Sequence, residues 1–251
     1  MSDPLHAALL LAAAFVAGAL NSVAGGGSFL TLPALVFTGV PAVVANATGT
    51  VALLPGYLSG ALGFRSDMQA PPGLSMRMLA GVSLIGGALG AALLLLTGDA
   101  AFRRLVPWLL LAATAVFAAG PWLMRRAGGS GAAPAGAARS IVGVLAVAAY
   151  GGYFNGGLGI LLLALFGLLG QSNLNAMNGL KNLVSALLTA IAVVVYAWGG
   201  LVLWPHALAM MVAATAGGYL GARAARRVAP AVLRAAIVAT GLVMSALFFL
   251  R

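Results

Sequence analysis

Eight apolar runs, at 5–20, 42–63, 78–96, 105–124, 140–154, 183–198, 207–222 and 231–250, decide the solvent in which this chain folds. A helix needs roughly 18–20 apolar residues to cross a bilayer core of about 30 Å, and several of the runs reach that length. Backbone groups inside lipid find no water, so each segment must close its own hydrogen bonds, which makes helices the default. The alternating pattern of a membrane β-barrel is absent. The expected fold is therefore an all-α polytopic membrane protein.

Composition agrees. Of 251 residues, 63% are hydrophobic and 6% charged, with a mean hydropathy of +1.09. A soluble domain carries about 25% charged residues, so this chain cannot cover a water-facing surface. The net charge of +10 arises from 13 basic against three acidic residues. In a soluble protein that balance suggests nucleic acid. Here the arginines lie between apolar runs, as the positive-inside rule expects, and the partners implied are a lipid bilayer and no nucleic acid. There is no cysteine, hence no disulfide framework or thiolate metal site. The run at 5–20 has no preceding Lys or Arg and is read as a retained helix rather than a signal peptide. The expected location is the bacterial cytoplasmic (inner) membrane, multi-pass.

The stretch 125–139, RRAGGSGAAPAGAAR, reads as a flexible linker. It divides the chain into an N-terminal transmembrane repeat, 1–124, and a C-terminal one, 140–251. Internal repetition supports the division. GGALGA (86–91) answers GGYLGA (217–222), and Phe102-Arg103 answers Leu233-Arg234, each pair opening a final apolar helix. Asn46 aligns with Asn178, Thr50 with Asn182, Gly25 with Gly157 and Gly27 with Gly159. Each half reads as an apolar helix ending in a glycine cluster, AGGGS (24–28) or NGGLG (155–159). A segment too short to span follows (28–38; 160–169), then three longer helices (42–64, 76–97, 103–124; 174–198, 204–223, 231–250).

If the short segment completes a crossing, the halves are inverted. Arg65, Arg77, Arg125, Arg126, Arg139, Arg223, Arg226 and Arg227 then share one side, with Arg103, Arg104 and Arg251 opposite. If it re-enters, the halves are parallel and the arginines divide evenly. The positive-inside rule favours inversion, with both termini outside the cytoplasm.

Glycine-broken helices expose backbone groups at depth, which is tolerated only against protein or a wet cavity. In transporters the half-helix after such a break points its positive end at an anion. Gly25, Gly26, Gly27 and Ser28 have this form, and Asn155, Gly156, Gly157 and Gly159 repeat it; Asn21 stands just before the first cluster. Close helix packing is the competing explanation for such small residues. Lys181, the only lysine, lies within an apolar helix, where a charge is costly and usually functional. Snorkelling to the interface is its alternative. Asn178, Asn182 and Ser185 share a helical face with it, and Asn46, Thr48 and Thr50 are polar candidates for the facing wall. Asp3, Asp67 and Asp99 lie at span ends or loops, and there is no Glu. That argues against a cation carrier or a carboxylate proton relay. No phosphate-loop motif appears, nor a nucleophile context that would make Ser28 and His206 a protease pair. No enzyme activity, cofactor or metal is expected.

The stretch ALNSVAGGGSFLTLPALVFTGVPAVVANATGT (19–50) resembles the opening signature of the TauE/SafE sulfite exporter family of membrane permeases. GGYFNGGLGILLLALFGLLGQSNLNAMNGLKNLVS (151–185) resembles its degenerate second copy, with Leu165 or Gly167 where Pro33 would be expected. The resemblance covers nearly the whole chain and implies transport of sulfite or of organosulfonates such as sulfoacetate and sulfolactate. The leading expectation is a secondary transporter of small anions working by alternating access. A carrier of another substrate class, a metal cation or neutral solute, is the alternative, and a membrane assembly subunit a third. A small anionic substrate is the expected partner, and a homo-oligomer is compatible with the sequence.

Overall fold

The computed structural model describes residues 3–23, 25–129, 136–224 and 230–250. Among these residues the chain forms ten α-helices and no strand. They are α1 Pro4–Val23, α2 Ser28–Phe37, α3 Ala42–Gly63, α4 Met76–Leu96 and α5 Asp99–Gly129, then α6 Ala137–Tyr153, α7 Leu158–Leu168, α8 Leu174–Trp198, α9 Trp204–Ala224 and α10 Pro230–Phe249. Among the described residues four windows are long and apolar enough to cross a membrane: Pro4–Asn21, Ala42–Gly63, Met76–Leu96 and Leu174–Trp198. Leu62, Ile85, Leu89, Leu93, Val212 and other large apolar side chains face outward, a surface suited to lipid rather than water.

Local chemistry sets the helix ends. Ser75 caps α4 by accepting from Met78 N at 3.2 Å. Asn173 caps α8, accepting from Asn175 N at 2.9 Å and Ala176 N at 3.2 Å. The half-helices α2 and α7 stop in the same way. Val40 N donates to Leu35 O at 3.1 Å over Gly39 (φ 89°), and Gln171 N donates to Phe166 O at 3.0 Å over Gly170 (φ 92°). Both are left-handed glycine caps. At ten residues α2 is about 15 Å long and cannot span a bilayer core alone.

Helix α5 begins at Asp99, earlier than the sequence suggests, because Asp99 joins two elements. Its carboxylate accepts from Val43 N at the start of α3 (3.1 Å) and pairs with Arg103 (3.1 Å). A carboxylate at a helix N-terminus is favourable. The expected linker is shorter than its composition implies: residues 125–129 continue α5 and 137–139 open α6, leaving 130–135 outside the described residues.

Packing between the halves is reciprocal. The two most extensive pairings are α1 with α9 and α4 with α6, so the first helix of each half lies on the fourth helix of the other. Helix α3 pairs with α8, α5 with α10, and the contact of α3 with α9 is matched by α8 with α4. The repeated motifs are the seams. In GGALGA, a Cβ on Gly86 would stand 2.6 Å from that of Ala148, and Gly90 lies against Ala149. In GGYLGA, Gly217 lies against the Phe15 backbone, while Gly18 meets Ala214. Small residues here let backbones touch, which is how helices associate where lipid offers no hydrophobic drive.

Candidate functional site

Two helix breaks face each other at the centre of this arrangement. The first lies between α1 and α2, where Gly25 has φ 79° and Gly27 is the residue before α2. The second lies between α6 and α7, where Gly157 has φ 68°. Asn155, at φ 60°, is the only non-glycine with positive φ among the described residues. Asparagine tolerates this left-handed region better than most residues.

The breaks touch through backbone. A Cβ on Gly25 would lie 2.9 Å from Gly159 Cα, and one on Gly159 would lie 3.0 Å from Gly25 Cα. The other glycines are also committed to packing: Gly27 against Ala17 O and Leu53, Gly157 against Ala113, and Gly156 beneath the Phe154 ring, while Gly26 and Ser28 are buried beside them. The clusters thus bring two chain reversals into contact, and the question becomes which polar groups around that contact lack partners.

At the second break three carbonyls are taken up by side chains. Tyr196 donates its hydroxyl to Gly152 O, Asn46 Nδ2 donates to Tyr153 O at 2.9 Å, and Tyr150 donates to Gly156 O at 2.5 Å. The amide side is paired in part, Leu158 N donating to Asn155 O at 3.5 Å and Ile160 N to Gly157 O at 3.1 Å. No side chain caps the start of α7 or of α2, and the Gly159 amide has no acceptor among the described residues. With three carbonyls covered and the Gly159 amide open, the break presents the positive end of a peptide dipole at that residue.

Lys181 adds a full charge. It is 3% exposed, and its aliphatic chain lies against the break, with Cδ 3.4 Å from the position a Gly159 Cβ would take. Among the described residues no carboxylate pairs with it. Asp99 is engaged by Arg103, Asp3 lies beside His6, and Asp67 sits in the loop after α3. One turn and two turns further along α8, Ser185 Oγ and Thr189 Oγ1 are buried without partners.

Helix α3 supplies the opposite wall. Tyr57 is buried and donates its hydroxyl to Asn155 Oδ1 at 3.1 Å; it also reaches the Asn21 side chain. A Cβ on Gly56 would come within 3.9 Å of Asn21 Nδ2, and one on Gly60 within 2.6 Å of Asn182 Nδ2. Two complementary polar atoms remain buried and unsatisfied, Asn21 Oδ1 and Asn155 Nδ2. Buried polar atoms without partners are rare and call for an explanation.

The structure therefore sets Gly25, Gly159 and Lys181 against one another, and Asn21, Asn155 and Asn182 against α3 at Gly56, Tyr57 and Gly60. Other sequence candidates stand elsewhere. Asn46 closes the α6 carbonyls. Thr48 Oγ1 accepts from Leu203 N at 3.1 Å, pinning the turn before α9. Thr50 is buried within α3, and Asn178 bonds back to Leu174 O at 3.0 Å on its own helix. The alignment that equates Gly25 with Gly157 differs from the spatial pairing, which is Gly25 with Gly159. Tyr57, Tyr150 and Tyr196 were not singled out by the sequence. The available signal is that a tyrosine inside an apolar span must find its hydroxyl a partner.

Tyr57→Phe removes the bond to Asn155 while keeping the ring. We expect a loss of about 1 kcal/mol in unfolding free energy in detergent, measured by denaturant titration. An unchanged stability would show that the hydroxyl does not hold the two breaks together.

Comparison with known proteins places the chain among membrane transporters. The family described as Sulfite exporter TauE/SafE matches residues 10–248. A probable membrane transporter protein of Haemophilus influenzae is 30% identical over 249 residues, covering 95% of this chain and 92% of its own. The probable membrane transporter protein YfcA of Escherichia coli is 27% identical over 252 residues, covering 98% and 90%. No solved structure matches.

Proposed function

Because the chain belongs to the TauE/SafE sulfite exporter family of multi-pass membrane transporters, we propose that its cargo is a small oxyanion, sulfite or an organosulfonate, held at the paired helix breaks. The observation that carries this reading is the asymmetry of the second break: three carbonyls are capped by Tyr196, Asn46 and Tyr150, whereas among the described residues the Gly159 amide has no acceptor and the ammonium of Lys181 no carboxylate partner. A cation would find few free acceptors there. An anion would find the Gly159 amide, a lysine and the Asn155 side-chain donor.

The architecture supports alternating access. The reciprocal contacts of α1–α9 with α6–α4 suit two halves related by a two-fold axis, and the arginine distribution favours an inverted pair. Rocking of one interlocked bundle against the other would open the Gly25–Gly159 contact to each side in turn. With no acid in the site, charge movement resides on the cargo and Lys181.

Purified protein in proteoliposomes tests the proposal. We expect saturable, protein-dependent flux of labelled sulfite that organosulfonates compete away. Flux no greater than in empty liposomes, with transport of a divalent cation or neutral solute instead, would contradict it.

A further inference from the structure

Resting on that reading, we infer that the preferred cargo is a singly charged oxyanion that carries its own hydrogen-bond donor. Three buried groups frame the inference, and each makes a different demand. Lys181 is the one full charge in the cluster, 3% exposed and without a carboxylate partner among the described residues. A single cation in a low-dielectric setting balances one negative charge; a second would be left uncompensated. Asn155 Nδ2 is a buried donor with no acceptor, on the amide whose Oδ1 receives the Tyr57 hydroxyl. It asks for an oxygen lone pair. Asn21 Oδ1 is a buried acceptor with no donor, and it asks for the opposite, an O–H or N–H.

These groups converge on the same patch. Asn21 and Asn155 each stand one helical turn before the glycine that touches its counterpart, Gly25 and Gly159. Tyr57 lies between them, and Lys181 lies on Gly159. A fully deprotonated oxyanion offers lone pairs alone. It would satisfy Asn155 and Lys181 while leaving the Asn21 carbonyl oxygen facing another oxygen. Hydrogensulfite, or a sulfonate bearing a hydroxyl group, satisfies all three. Sites built with a buried polar group reject analogues that cannot pair with it, because the group is then left desolvated and unmatched.

Titration calorimetry on the wild-type protein in detergent, at one pH, separates the possibilities without relying on a variant. Ethanesulfonate and 2-hydroxyethanesulfonate have the same charge and differ by one hydroxyl. We expect the hydroxylated anion to bind about tenfold more tightly, the worth of one buried hydrogen bond, and sulfate, a dianion without a donor, to bind more weakly than either. In Asn21→Leu the tenfold preference should collapse towards parity, while Asn155→Gly, which keeps the left-handed backbone accessible, should weaken both sulfonates together. Equal affinity of the two sulfonates in the wild type, or tighter binding of sulfate, would overturn the inference and leave anion transport standing. Absence of binding by every anion would overturn both.

Discussion

Lys181→Met is expected to make the protein more stable and to abolish anion transport. The two effects have one origin. A lysine that is 3% exposed, with no acid beside it among the described residues, carries an unreturned desolvation cost in the empty protein. Methionine matches its length without the charge, so relieving that cost should raise the unfolding free energy by about 1–3 kcal/mol. The bound anion loses its only full counter-charge. A hydrogen bond to a charged group contributes about 1.5–3 kcal/mol, so affinity should fall roughly 10- to 150-fold. Paired denaturant titrations and liposome flux assays check both halves. If Lys181 is a structural residue the signs reverse: stability falls and flux survives.

The second large effect lies at the contact of the two breaks. Gly25→Ala should destabilise the protein by roughly 2–5 kcal/mol, combining a left-handed backbone with an overpacked contact. Gly25 has φ 79°, and its added Cβ would stand 2.9 Å from Gly159 Cα, where no side chain can yield. Gly39→Ala is the matched control. Its φ of 89° imposes the same conformational penalty, but nothing lies within 4 Å of the new Cβ, so the loss should stay near 1–2 kcal/mol. The difference between the two variants measures the close approach itself. Gly159→Ala lacks the backbone penalty yet meets Gly25 Cα at 3.0 Å and Lys181 Cδ at 3.4 Å, and should fall between them. Equal losses at Gly25 and Gly39 would mean that the breaks do not bear on each other.

Much of this organisation is legible in the sequence because lipid leaves few options. Apolar runs and glycine punctuation give the helices to within a few residues, and the half-helices α2 and α7 stand where length alone marks them as too short to cross. The repeated GGALGA and GGYLGA motifs are legible as equivalents, but not as seams, since a small-residue stripe does not name the helix that will lie on it. The site divides along similar lines. Lys181 and the glycine clusters announce themselves by being expensive or flexible in lipid. Tyr57, Tyr150 and Tyr196 do not, because a tyrosine among apolar residues reads as bulk until its hydroxyl is seen on Asn155, Gly156 or Gly152. Thr48 and Asn178 mislead in the other direction. Polar side chains in a membrane helix often serve a nearby backbone group, as these serve Leu203 N and Leu174 O.

Selenite, a heavier analogue of sulfite, gives the most direct reading. Diffraction from crystals grown with it, at the selenium edge, should place one anomalous peak within hydrogen-bonding reach of the Gly159 amide, the Asn155 side chain and the lysine ammonium. A peak only at the protein's periphery, in crystals of protein that still moves sulfite across liposomes, would contradict the central assignment.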